Sequence, residues 1–279
     1  MIEKASATNQ CLVDIPPCEA GCTQKTDLVL QSQDGIRFGA HSTNLAAFSD
    51  AFPVIGSGII ANEVVKMTER ADVVLLLLQL THRQRWMRSD RIPFGLLQGL
   101  AEAAEKFFIP AIMEMCRVQM QAAVSKHPLD VFIYACKHGY DDIRDAAAPG
   151  TLDLPFESTL RRLKVYPSIC ISWISYRHRY VEASMQLYSR DPDLRHCSEC
   201  FYWKTFWSRS ILSLIAKPLS ENLFLQLWRD EFPCTLKYCG QCNEMLPMLC
   251  DWIRTELAKM NLPSFTNAMN ETCVSPTPT

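Results

Sequence analysis

Two Cys-x-x-Cys pairs stand in the second half of this chain, Cys197-Ser-Glu-Cys200 and Cys239-Gly-Gln-Cys242. Thiolates at that spacing can chelate one cation within a tight turn, and two such pairs complete a tetrahedral four-thiolate zinc site. The 38 residues between Cys200 and Cys239 exceed the roughly 15–20 of a compact zinc ribbon. The intervening segment reads as two helices, however, and an antiparallel helical pair returns its ends to one place. One structural zinc on Cys197, Cys200, Cys239 and Cys242 is therefore expected, clipping the ends of a helical hairpin. His196 and Cys234 are alternative ligands, and the competing reading packs the thiols as small hydrophobes.

Other chemistry finds less support. A redox role for Cys239-Gly-Gln-Cys242 needs a helix start after a strand, where the helix terminus lowers the thiol pKa. The flanks here show no βαβ pattern. His41 and Asp27 have no nucleophile or partner carboxylate nearby in sequence, so both read as structural. The run His82-Arg-Gln-Arg-Trp-Met-Arg-Ser-Asp-Arg91 could track phosphates with Trp86 stacked on a base. A solvated loop is the preferred reading, because no nucleic-acid motif supports the patch. Phe201, Tyr202, Trp203, Phe206 and Trp207 cover more than one helical face. Core packing around the zinc clip accounts for most of them; an exposed subset, Trp203 and Trp207, would form a partner surface, since aromatics are enriched at interface hot spots. No G-x-S-x-G elbow, phosphate loop, dinucleotide fingerprint or H-E-x-x-H motif occurs, and no enzyme activity is expected.

Elements must position these groups, and residues 27 to 52 are the most legible. Leu28 and Leu30 alternate as in a half-buried strand, Asp34-Gly35 is a turn signal, and Ile36 to Phe38 reads as a return strand. Ala40-His41 opens an apolar-periodic run through Leu45, Phe48 and Phe52 that fits a helix. Further on, Ala148-Pro149-Gly150 reads as a helix break. Pro167 to Tyr188 reads as a helix with Ile171, Ile174, Tyr176, Tyr180 and Val181 at helical spacing. Further helices are expected over 199–216, 219–230 and 244–260, and the polar, proline-containing tail 263–279 is expected to be disordered.

The order Asp27, strand, Asp34-Gly35 turn, strand with Phe38, Ala40-His41, helix with Leu45, then Ser49 and Phe52, resembles the start of a BTB/POZ domain. Glu63-Val-Val-Lys-Met67 looks like that family's third strand, and Ala71 to Leu80 like the helix after it. LAEAAEKFFI, within Phe94 to Ile109, looks like its next helix, and Pro110 to Val124 like its closing helix. His127-Pro128-Leu129, Tyr134-Ala135 and His138-Gly139-Tyr140 resemble the short helical extension of fungal BTB proteins. Two departures occur: Leu80-Thr81-His82 stands where the family has a Tyr, and Ser42 follows the helix-start histidine where Lys is common. The resemblance implies an α+β BTB domain over 26–124 and an extension over 125–148, while the helical patterns beyond Ala148-Pro149-Gly150 give an all-helical domain over 149–262. It makes Asp27, Asp34, Gly35, Phe38, His41, Leu45, Ser49 and Phe52 structural residues, with Asp27 also on the dimer surface. The implied function is a protein-interaction adaptor or scaffold that forms a homodimer or docks a partner. The alternatives are a substrate adaptor of a cullin-type ubiquitin ligase and a transcription-associated regulator. Against the cullin, the family's hydrophobic-x-Glu element does not align with Ile59-Ile60-Ala-Asn-Glu63.

Composition is compatible with this. The 279 residues, 48% hydrophobic and 21% charged, suit a soluble protein of two domains. A net charge of −2 argues against a dedicated nucleic-acid partner. Residues 1–25 carry Pro16-Pro17 and read as an irregular leader lacking a signal peptide's apolar core. The longest apolar run, Val73 to Leu78, is far short of the ~20 residues that span a bilayer. An intracellular location, cytoplasm or nucleus, is expected, with most of the thirteen cysteines reduced or metal-bound.

Overall fold

The computed structural model describes residues 22–24, 26–52, 64–82, 92–188, 248, 251–252, 254–256, 258–260 and 262–273. The chain divides into two compact units, Met1–Ala123 and Val124–Thr279. The mixture of a small sheet with many helices makes the chain α+β.

The first unit is built on β1 (Leu28–Gln31), β2 (Arg37–Ala40) and β3 (Val64–Lys66), in the sheet order β2-β1-β3. β1 and β2 form an antiparallel hairpin pairing Leu28 with Ala40 and Gln31 with Arg37, while β3 runs parallel to β1. The turn closes through Gly35 N–H on the Ser32 carbonyl at 3.0 Å. Gly35 takes φ +84°, a conformation that side chains with a Cβ rarely adopt. Sequence periodicity suggested a half-buried β1, yet Leu28, Val29 and Leu30 are all buried. Successive residues of a strand point to opposite faces, so both faces of β1 are covered.

Helices complete this unit: α1 (Ser42–Phe48), α2 (Ala71–Leu80), α3 (Phe94–Phe107) and α4 (Pro110–Ala123). α2 is apolar nearly all round and buries Val73, Val74, Leu76, Leu77, Leu78 and Leu80, as a core helix should. α3 packs on both α2 and α4. It ends at Phe108, whose φ of +50° is the left-handed turn of a Schellman cap. The cap bonds are Ile109 N–H to the Ala104 carbonyl at 3.0 Å and Phe108 N–H to the Glu105 carbonyl at 3.3 Å. Ile109 is buried, whereas Phe108 is half-exposed.

The second unit contains α5 (Pro128–His138), α6 (Asp141–Leu152), α7 (Phe156–Leu163), α8 (Pro167–Tyr188) and α9 (Phe265–Cys273). Pro128 opens α5 at its first turn and Gly139 closes it at φ +75°, so part of the His127 to Tyr140 motif is helix punctuation. Tyr134 stacks on Tyr140, with ring centroids 5.6 Å apart.

Three expectations are corrected here. Ala148-Pro149-Gly150 does not end a helix: α6 continues through it to Leu152. Burial of Ala147, Ala148, Thr151 and Leu152 outweighs the hydrogen bond that Pro149 cannot donate. Gly150 serves contact instead, since a Cβ there would lie 2.8 Å from Pro128 Cβ. The 148/149 boundary therefore falls inside a helix. The last turn is held by Trp173, whose Nε1–H donates to Thr151 Oγ1 at 2.9 Å, while that hydroxyl donates to the Ala148 carbonyl at 2.6 Å.

The second correction concerns α8, whose span is as expected but whose buried face is not. Cys170, Trp173, Tyr176, Ala183 and Leu187 are buried, while Ile171 and Ile174 are exposed. A Trp that finds a buried partner for its N–H brings more apolar area into a core than two isoleucines on the neighbouring stripe. Third, the tail expected to be disordered forms α9 over Phe265–Cys273. Phe265 is buried edge-on against Phe132, at 4.7 Å, and Tyr176, at 5.5 Å. Asp145 Oδ1 accepts Thr266 N–H at 2.8 Å, and Ser264 Oγ accepts Asn267 N–H at 3.3 Å, so the first turn is capped twice. Buried Arg144 completes the joint, donating to Thr266 Oγ1 at 2.7 Å and pairing with Asp141 at 2.9 Å.

Candidate metal centre

In the first unit, both aspartates singled out by the sequence cap helices across the fold. α1 starts at His41 and α2 at Arg70, and neither residue caps its own helix through its side chain. Asp27, just before β1, accepts Ser42 N–H at Oδ1 (2.9 Å) and the Ser42 hydroxyl at Oδ2 (2.5 Å). Asp34, in the hairpin turn, accepts Ala71 N–H at 2.9 Å. Each carboxylate meets donors at the positive end of a helix, which favours its charged form. Burial pushes the Asp27 carboxyl up, but the Ser42 hydroxyl and N–H, its own backbone and the field of His41 together hold it below the ordinary value. Asp34 is likewise lowered, chiefly by the Ser32 hydroxyl.

Ser49 joins α1 to the end of α3. Its hydroxyl donates to the Phe107 carbonyl and accepts Phe52 N–H at 2.8 Å, while the Phe52 and Phe107 rings lie 5.1 Å apart. Phe38 and Leu45 are core residues. These are fold-bearing positions.

The chemistry-bearing cluster lies beside them. His41, buried at the start of α1, places Nε2 3.3 Å from Cys22 Sγ. His82, buried just past α2, presents its ring edge-on to His41, with centroids 5.3 Å apart and planes at 68°. One donor atom from each of Cys22, His41 and His82 lies within 4.8 Å of the other two. His82 Nδ1 lies 2.6 Å from the Leu78 carbonyl. A carbonyl only accepts, so Nδ1 carries the proton there, and in the neutral ring the lone pair is on Nε2. A thiol and two imidazoles so gathered could hold a metal ion.

Sequence reading picked out only one of the three. Cys22 falls in the segment read as an irregular leader, and His82 opens the basic run read as a solvated loop. His82 is instead 6% exposed. The contacts run 19 residues from Cys22 to His41 and 41 from His41 to His82, so no short spacing could reveal them. The remaining expected sites, Cys197, Cys200, Cys239 and Cys242 as zinc ligands and Trp203 and Trp207 as a partner surface, lie outside the described residues, as do Pro16-Pro17 and residues 83–91.

A separate cavity of about 250 Å³ opens between α2 and α3, lined by Gln33, Glu69, Asp72, Gly99 and Glu102 among others. Its charges are largely matched locally: Lys106 meets Glu69, and Arg70 meets Asp72, each at 2.9 Å. Among the described residues no helix is long and apolar enough to cross a membrane. No protein-family profile matches this chain, and no curated protein matches it either.

Proposed function

We propose that the first unit is a BTB/POZ-type interaction module and that the chain is a protein–protein interaction adaptor. The observation that carries this reading is the order and topology of one stretch of chain. An antiparallel hairpin is followed by a helix, a third strand parallel to the first, an apolar helix and a helical hairpin. The residues that suggested the family sit at the joints of that arrangement: Asp27 and Asp34 at helix starts, Gly35 in the turn, Ser49 between α1 and α3. They support a scaffold in which these residues are structural, and a scaffold of this kind acts by presenting surfaces. Joining two units on one chain raises the effective concentration of their partners for each other.

The test is affinity capture of the tagged full chain from its own cell extract, combined with light scattering of the purified protein. Recovery of the chain itself or of another protein at near-stoichiometric level, with a dimer or heteromer in solution, is the expected result. A strict monomer at high concentration that recovers no protein partner defeats the reading. Recovery of a cullin in that experiment would select the ligase-adaptor alternative.

A further inference from the structure

We infer that Cys22, His41 and His82 are ligands of one zinc ion that fastens the segment before β1 to the start of α1 and the end of α2. The inference is independent of the interaction reading above.

The donor set selects the metal. One sulfur and two imidazole nitrogens suit a borderline-soft ion and offer nothing to calcium or magnesium, which take oxygen ligands. The geometry is close to what zinc requires. With Zn–S near 2.3 Å and Zn–N near 2.05 Å, tetrahedral angles put sulfur and nitrogen about 3.6 Å apart. Cys22 Sγ and His41 Nε2 stand at 3.3 Å. Two imidazoles on one tetrahedral zinc hold their ring centres about 5.2 Å apart, since each centre lies about 3.2 Å from the metal. The rings of His41 and His82 are 5.3 Å apart. One ring nitrogen of each histidine and the Cys22 sulfur lie within 4.8 Å of one another.

The surroundings suit a cation. The Leu78 carbonyl orients His82 as an outer-shell partner orients a metal-bound histidine, fixing its tautomer. His82 follows the last turn of α2, the negative end of that helix. His41 stands at the positive end of α1, which by itself disfavours an ion, but the Asp27 carboxylate is bound at that same helix start and supplies the opposing charge. A thiol–imidazole pair without metal accounts for the Cys22–His41 contact. The second buried imidazole, edge-on to the first, brings a third donor residue to the same point.

Binding releases the thiol proton and forms one Zn–S and two Zn–N bonds with no change of oxidation state.

The experiment counts zinc tightly held by the full chain, purified without chelator, in wild type, Cys22→Ser, His82→Gln and the double variant, by competition with a chromophoric chelator. Each single variant is expected to hold one equivalent less than wild type, or to bind that equivalent at least tenfold more weakly. The double variant should lose one equivalent, not two, because both residues serve the same ion. Any zinc on other cysteines is common to all four proteins and cancels. If His82→Gln fails to fold, Cys22 carries the test alone, because it lies outside every helix and strand. Cys22→His should then keep the equivalent while its cobalt-loaded form loses one thiolate-to-cobalt charge-transfer contribution. An unchanged zinc count held with unchanged affinity in Cys22→Ser overturns the inference.

Discussion

Replacing Phe265 by Ala is the sharpest test of how the second unit is held together. The ring is 1% exposed and lies edge-on to both Phe132 and Tyr176, with the Arg144 guanidinium 5.9 Å from its centre. Removing a buried Phe side chain costs about 3–5 kcal/mol in lost transfer energy and residual cavity. Each edge-to-face pair adds roughly 0.5–1.5 kcal/mol beyond area, part of which is already inside that range. Phe265→Ala is thus expected to cost about 4 kcal/mol, a large share of the 5–15 kcal/mol that holds a typical domain. Phe265→Leu keeps most of the volume but loses the ring-edge contacts, and about 1–2 kcal/mol is expected. Urea unfolding followed by Trp emission suits the measurement, because five of the six tryptophans, all except Trp86, belong to the second unit. Proteolysis adds a local readout: in the Ala variant, cleavage near residue 263 should precede global unfolding. A Phe265→Ala midpoint within about 0.5 kcal/mol of wild type would refute α9 as part of the core and return residues 263–279 to the role of a loose tail.

Four further outcomes are expected. Thr151→Val keeps the shape of the α6 end but strips Trp173 Nε1–H of its acceptor, and should cost about 1–3 kcal/mol in the same assay. Phe108→Gly should raise the stability of the first unit by ~0.5–1 kcal/mol, the relief of a left-handed Phe less the extra chain entropy of glycine; a loss measured by thermal unfolding would mean that the exposed ring contributes more than its exposure suggests. Asp27→Ala removes the cap of α1 and should cost about 1–2 kcal/mol at neutral pH. Because the Asp27 carboxyl is lowered on folding, its contribution is present above the ordinary carboxylate value and lost as pH falls through the folded value, so the gap between wild type and variant should close in acid. Burial pushes the Cys116 and Cys136 thiols up to about 12. Peptide mapping after iodoacetamide treatment at pH 8 should find both thiols unmodified in the folded chain and alkylated once it is unfolded. The same shift keeps both thiols neutral in the folded state, so the stability they contribute is present below the ordinary thiol value and is lost as pH rises toward 12.

The local features of this protein were readable from residue order alone. The helix over Ala71–Leu80 follows from the family resemblance, since its short apolar run by itself would equally suit a buried strand. Asp34-Gly35 specifies a turn because the left-handed backbone there nearly excludes a Cβ. Pro167 to Tyr188 has helical spacing whichever stripe is buried. What sequence could not decide is which of two competing local tendencies wins, because the deciding contact is distant. Pro149 and Gly150 read as a break until Trp173 and Pro128 supply the partners that keep α6 whole. Residues 263–273 look like a polar tail until Phe265 finds Phe132 and Asp145 caps the turn, contacts that span more than 100 residues. The candidate metal centre is the extreme case. Cys22, His41 and His82 have unremarkable neighbours in sequence, and only the packing of α1 and α2 beside the first strand brings one thiol and two imidazoles to a single point. Helix and turn preferences act over a few residues and are written locally, whereas burial and coordination depend on which distant segments meet, and that belongs to the tertiary structure.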